Sequence, residues 1–288
     1  MQHIIGFISN SISTIISLCK IAVYSKWFAQ LYKAENPKKG LVILGNGPSL
    51  KYNLTHDVEL LLTKDKLCVN GFAIAADYER LKPEYYLIAD LAFWIDNPIE
   101  RVKIFRNNVV EAINAKTTWP LILFLPYEAQ KSRFLKTAFA SNSNISVKYF
   151  NKTTVKGFRS FCNHCYRLGL GIPRPQNVLV PSLILGLNMG YQKLYLLGAD
   201  HSWHENLIVS SENLLCLKDP HFYDDGTKLI PLLNEKGQQS FMHEQFQSLF
   251  ITFRNYHYIN KYANYCKSNI YNASEKSYID AFQRIKLS

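Results

Sequence analysis

The stretch Leu41–Lys51, LVILGNGPSLK, runs four apolar residues straight into Gly45, Asn46, Gly47, Pro48 and Ser49. Glycines let a backbone approach a ligand closely and adopt conformations barred to other residues. N–H groups presented ahead of a helix favour an anion such as phosphate. Asn46 adds a side chain that both donates and accepts, Pro48 fixes the entry into the next turn, and Ser49 suits a helix cap. The stretch lacks the Gly-Lys-Ser/Thr of one phosphate loop and the third glycine of the dinucleotide fingerprint. The residues alone read as a nucleotide-phosphate loop or as a tight turn.

Other polar residues end apolar runs in the same way. Asn70 follows Lys66–Val69, and Asp90 follows Tyr85–Ala89. An amide or carboxylate there can meet a ribose hydroxyl or a base edge; each residue also serves well as a helix N-cap. The segment Gly198–Glu205, GADHSWHE, holds Asp200, His201, Trp203 and His204. Such donors suit a metal. The spacing His201-x-x-His204 is not H-E-x-x-H, however, and a structural or substrate-orienting role fits as well. Trp203 can wall off a base or a sugar. His243 opens a helical stretch, where the positive end of the helix lowers an imidazole pKa and keeps it a neutral base. A plain surface histidine is the alternative. Asp224–Asp225 precede Gly226 in a long loop and read as a turn.

These residues need a scaffold that brings strand ends together. Short apolar runs at Leu41–Leu44, Lys66–Val69, Tyr85–Ala89, Leu121–Leu125, Ile145–Phe150 and Lys193–Leu197 read as buried parallel strands. Helix-like stretches lie at Asp57–Leu62, Pro98–Ala115, Ala129–Ala138 and Val178–Leu187. The alternation predicts a Rossmann-like α/β fold whose mostly parallel sheet carries helices on both faces. Residues 205–240 lose periodicity and read as an irregular lid over the site. A helix resumes over Met242–Tyr262, and Asn269–Tyr271 reads as a last strand. With no internal repeat, the chain divides into an N-terminal segment, 1–36, and one catalytic domain, 37–288.

The chain has 288 residues and a net charge of +11. The basic residues are scattered with no Arg-rich run, which argues for a small anion or an anionic surface and against nucleic acid. The C-x-x-C at Cys162 and Cys165 lacks the second pair that a zinc site needs. The segment around it does not read as a helix opening, so the six cysteines read as free buried thiols in a reducing cytoplasm. Residues 1–19 carry no charge apart from His3, and Ile5, Ile8, Ile12, Ile15 and Ile16 fall near one helical face. The interspersed Ser and Asn, with Lys20, Lys26, Trp27 and Lys33 following, fit an interfacial helix better than a span.

GNGPSLK after a buried strand resembles the first motif of the bacterial sialyltransferases of glycosyltransferase family 42. The same G-x-GPSL signature occurs in the MptE-like 6-hydroxymethylpterin diphosphokinases, which the tail YNASEKSYIDAF also resembles. LCVN resembles the sialyltransferases' R-C-N, and LILGLNMGYQKLYLLGAD resembles their stretch from the buried helix to the following strand. Where that family has T-S-G, this chain has Gln176-Asn177-Val178. The resemblance implies a GT-A-like variant of the α/β fold, with a CMP-activated sialic or related sugar acid held by Gly45, Asn46, Gly47, Ser49, Asn70, Asp90, Asn177, Gly198 and Asp200. It places His243 as the base of an inverting transfer to a glycan, lipopolysaccharide or glycolipid hydroxyl. Trp203 and Tyr223 stand nearest to the tyrosines that steady the leaving phosphate. No metal is required for a CMP leaving group, although magnesium is compatible. The resemblance also implies a homo-oligomer, at the cytoplasmic face of the inner membrane given the N-terminus. Two rival readings remain: a magnesium-dependent diphosphokinase or other nucleotide-binding enzyme, and a non-catalytic membrane-surface protein.

Overall fold

A strand covered on both faces by helices needs an unbroken apolar run. Leu41–Leu44 (β1) has one, and all of its side chains are fully buried in the computed structural model of the chain. The structure describes residues 2–27, 31–95, 99–219, 228–234 and 237–287. From β1 the chain steps outward through Asp65–Val69 (β2), Tyr85–Leu87 (β3), Leu121–Pro126 (β4) and Ile145–Phe150 (β5). It then crosses back, and Lys193–Leu197 (β6) pairs with the other edge of β1. Leu207–Val209 (β7), Leu215–Asp219 (β8) and Lys228–Pro231 (β9) form a separate antiparallel sheet. Asn269–Asn272 (β10) and Gln283–Arg284 (β11) extend the main sheet beyond β6. The order is β11-β10-β6-β1-β2-β3-β4-β5, parallel throughout. The direction of winding reverses between β1 and β6. That reversal opens a crevice at the carboxyl ends of the strands, where ligands of such sheets bind.

Alternate side chains of β1 enter opposite cores, as the two-residue strand period requires. Leu41 and Ile43 join a cluster with helices Arg159–Arg167 (α7), Leu179–Met189 (α8) and Met242–Tyr265 (α9). Val42 and Leu44 join one with Leu50–His56 (α2), Val58–Leu62 (α3), Asp77–Leu81 (α4), Glu100–Lys116 (α5) and Arg133–Ala140 (α6). Full burial of each such aliphatic side chain contributes ~1.5–3 kcal/mol. Helix α8 is buried along its whole length, which explains its largely apolar sequence, and its Ser182 and Asn188 are hydrogen-bonded to the carbonyls of Val178 and Tyr166.

Two expectations are corrected. The C-x-x-C segment is helical: Cys162 and Cys165 lie buried inside α7, one turn apart on its core side. Its single polar turn, with Arg159 and Ser160 ahead of the cysteines, hid the 3.6-residue period. Of the six free cysteines, Cys19 is exposed and Cys266 half-buried. The described residues of 205–240 are not all irregular either. They carry β7–β9, strands too short and too exposed to show alternation above the intervening Asp, Pro and Gly.

Helix Gln2–Tyr24 (α1) is docked by its polar side. The Ser17 hydroxyl donates to the Lys156 carbonyl at 2.7 Å and accepts from the Lys156 amide at 2.8 Å. The Phe158 amide donates to Thr14 Oγ1 at 3.2 Å. Gly157, at φ +133°, leaves room for this approach, since a Cβ there would stand 2.9 Å from the Thr14 backbone. Beyond α1, Ser25 Oγ donates to the Leu170 carbonyl at 2.6 Å. Ile5, Ile8, Ile12, Ile15 and Ile16 face outward and are exposed. By length and composition alone, α1 is long and apolar enough to cross a membrane, with a mean hydropathy of 1.6 over His3–Tyr24. Little of it is buried against the rest of the chain.

Candidate active site

The crevice between β1 and β6 holds a cavity of about 650 Å³, within the ~300–1,000 Å³ of small-molecule sites. Its lining includes Gly45, Asn46, Gly47, Asn70, Asp90, Asn177, Gly198, Asp200 and Trp203. Residues from four strand ends and the start of α8 therefore converge, as the sequence reading expected. Ser49 is adjacent and buried behind the wall. Tyr223 lies outside the described residues. His243 sits exposed in the first turn of α9, its ring stacked 6.0 Å from that of Phe241, and does not line the cavity.

The glycines of the opening motif serve a different purpose from the one expected. Neither Gly45 nor Gly47 has a positive φ. Their amides donate to the carbonyls of Leu197 and Gly198, both at 2.8 Å. A Cβ at Gly47 would stand 2.6 Å from the Gly198 carbonyl oxygen, and one at Gly45 would press on the same peptide. Gly198, at φ +59°, closes the interlock from the other side. The loop after β1 is thus built to lock onto the loop after β6, and two of the amides expected to face an anion are used in doing so. Ser49 does not cap α2; its hydroxyl and its amide both donate to the Asp200 carboxylate, the amide at 2.9 Å. Asp200, 4% exposed, clamps the loop. Asn46 reaches sideways, its Nδ2 donating to the Val69 carbonyl at 3.1 Å.

Asn70 and Asp90 part company. Asp90 is an N-cap, accepting from the Ala92 amide at 3.0 Å, while its exposed carboxylate also borders the cavity. Asn70 is held at φ +45°, with its carbonyl fixed by the Tyr86 hydroxyl at 2.6 Å. Its Oδ1 is buried without a hydrogen-bond partner. A buried acceptor left unpaired costs ~1–3 kcal/mol, and non-glycine residues at positive φ gather at ligand sites.

Two contributors escaped the sequence reading in part. His201 was seen only as one of a mixed cluster. It is 5% exposed, at φ +55°, and its Nε2 lies 2.5 Å from the Tyr256 hydroxyl. Burial pushes its pKa down to about 4, so the imidazole is neutral at pH 7. Its ring packs 4.5 Å from that of half-exposed Trp203. Asn177 completes the group. Its Nδ2 donates to Tyr256 at 3.0 Å, and its Oδ1 caps α8 by accepting from the Leu179 amide at 2.9 Å. Lys152, two residues past β5, is the cation among the described lining residues. Its Nζ donates to the Ala89 carbonyl at 3.3 Å and lies 5.1 Å over the Trp94 ring. A lone lysine after a strand gave no signal; only the sheet order brings it beside Asp90. Among the described residues no three His, Cys, Asp or Glu are grouped to hold a metal ion.

The C-terminal tail braces this site. Ser277 Oγ donates to the Ala199 carbonyl at 2.6 Å, Ser274 Oγ accepts from the Ala199 amide at 3.0 Å, and the Tyr278 amide donates to the Asp200 carbonyl at 2.9 Å. Glu205 is bound by Lys276 at 2.8 Å and by the Tyr278 hydroxyl, and these bonds hold its carboxyl pKa down.

The sequence matches no protein-family model and no curated protein. Its fold is similar to a solved structure, the MAf glycosyltransferase from Magnetospirillum magneticum AMB-1, with a TM-score of 0.50 and 10% identity. The likeness covers 96% of this chain and 38% of that one. At that identity the likeness speaks for the fold.

Proposed function

We propose that this chain is a glycosyltransferase that binds a nucleotide-activated sugar in the crevice between β1 and β6 and passes the sugar to an acceptor hydroxyl. The observation that carries the reading is Asn70: a left-handed, non-glycine residue that borders a large cavity at the switch point of a parallel sheet and whose amide oxygen is buried without a hydrogen-bond partner. An amide there suits the donor edge of a base or a ribose hydroxyl. The GNGPSLK and LILGLNMGYQKLYLLGAD resemblances favour a CMP-activated sialic or related sugar acid, and the fold's likeness to a glycosyltransferase agrees with the general class. Lys152 supplies positive charge for the phosphate or the sugar carboxylate. Trp203 and Asn177 wall the sugar end, and Tyr223 remains the resemblance's candidate for the leaving phosphate.

Two histidines compete as base. The resemblance favours His243, and a position lining the cavity favours His201. With a CMP-sugar acid as donor, loss of the general base lowers turnover ~100-fold. A fall of that size in His243→Ala with normal turnover in His201→Ala assigns the base to His243, and the reverse assigns it to His201. The class of donor is tested by thermal unfolding with CMP, CDP, UDP, GDP and ATP, each with and without magnesium. A ligand at a hundredfold excess over its dissociation constant stabilises by ~2.7 kcal/mol. Stabilisation by CMP or CDP without metal supports the reading. Stabilisation only by ATP with magnesium moves the function to a diphosphokinase, in which Asp90 would pair with the metal, since Asp200 is already engaged by Ser49.

The same proposal divides the chain into a surface-associating segment, 1–36, and a catalytic domain, 37–288. The outward Ile face of α1 lies on the cytoplasmic surface of the inner membrane, beside glycolipid or lipopolysaccharide acceptors. Assembly into homo-oligomers belongs to this reading through the resemblance alone.

A further inference from the structure

A second cavity, of about 450 Å³, lies where α1 meets α7 and α9. It shares no lining residue with the first; Pro173 and Arg174 border one, and Pro175 to Asn177 border the other. Lys156, Arg159, Arg174, Arg254 and Lys261 line it, and among the described residues no carboxylate does. None of these cations enters an ion pair found among the described residues. Arg254 is fixed from below, its guanidinium 4.7 Å over the Phe250 ring, and its Nε is buried without a hydrogen-bond partner. The Lys156 pKa is lowered, first by burial and then by the charges of Arg174, Arg254 and Lys20. Like charges have thus been gathered with no neutralising carboxylate among the described residues. Ser9, Asn10 and Ser13 from α1, with the buried Asn163 and Asn255, add neutral polar groups to the lining.

We propose that this cavity is a second anion site, one that takes a phosphate or pyrophosphate group. Guanidinium forks match phosphoryl oxygens two at a time, and charge-assisted bonds of this kind are roughly twice as strong as neutral ones. Its place under the polar side of α1, whose apolar side is open, lets the group arrive either free or on the headgroup of an anionic lipid.

The test uses the full chain at constant ionic strength. Inorganic pyrophosphate is titrated into thermal unfolding of the wild type, Arg174→Gln/Arg254→Gln, Lys152→Gln, and the charge-matched Lys136→Gln/Lys286→Gln. The expected result is stabilisation of the wild type, Lys152→Gln and Lys136→Gln/Lys286→Gln, with at least tenfold weaker binding in the arginine variant. Should that variant not fold, the exposed rim substitutions Arg159→Gln and Lys261→Gln must each weaken pyrophosphate. The second arm measures binding to phosphatidylglycerol and phosphatidylcholine vesicles. A loss on phosphatidylglycerol confined to the arginine variant identifies the lipid headgroup as the source, and equal binding of all four proteins identifies the free anion. The proposal is overturned if pyrophosphate stabilises none of the proteins, or if its effect survives undiminished in the arginine variant.

Discussion

At the residue scale the site rests on side chains whose local conformation costs free energy. Asn70→Gly relieves the positive φ and removes the unpartnered oxygen, so the variant should be no less stable than the wild type while losing at least ~10-fold in nucleotide affinity. Calorimetric titration with CMP and a denaturant midpoint read the two effects separately, and unchanged affinity would remove Asn70 from the site. His201 makes a pH prediction. Its folded pKa, about 4, lies below the ordinary 6.5, so the unfolded chain takes up the proton first as the medium is acidified. Stability from the neutral imidazole is therefore complete above pH 6.5 and is lost as the pH falls toward 4, to a total of roughly 3 kcal/mol. Denaturation of wild type and His201→Asn at pH 7 and pH 4.5 should show a flatter dependence in the variant. Equal slopes would mean that the imidazole is not buried neutral.

At the scale of elements, the interlock between the loops after β1 and β6 and the docking of α1 each turn on one serine. Ser49→Ala leaves the buried Asp200 carboxylate with one donor in place of two from that residue. Hydrogen bonds to charged groups contribute ~1.5–3 kcal/mol, and a loss of about 2 kcal/mol is expected from the urea midpoint at unchanged slope. Ser17→Ala strands both the amide and the carbonyl of Lys156. Hydrogen exchange should then quicken at the Lys156 amide and along α1 while the sheet keeps its protection. The central strands were legible in the sequence because a parallel sheet sandwiched between helices demands contiguous apolar runs, and β1, β4 and β6 lie where those runs lie, while β5 at the edge alternates. Helix α7 and strands β7–β9 were not, because their patterns are short and half-exposed. The convergence of Asn46, Asn70, Asp90 and Asp200 could be read from strand ends. The role of Gly45 and Gly47 could not, because the partner that excludes a side chain there is Gly198, over 150 residues away.

On the scale of the whole molecule, the net charge of +11 is not spread evenly in its effects: among the described residues one cation borders the first cavity and several line the second. The sheet is also ordered so that its first strand is its centre. β1 cannot be flanked on both sides until β6 has formed, and the loop that β6 carries is braced by residues 274–278. On the ribosome this has a cost in time. Between the appearance of Gly45 and that of Tyr278 more than 200 residues must be made, which at ~5–20 residues per second is roughly 10–50 s. Until β6 has been made, one edge of β1 is an unpaired apolar strand, open to other nascent chains and to chaperones. Ligand binding by this protein is accordingly among the last properties to appear during its synthesis.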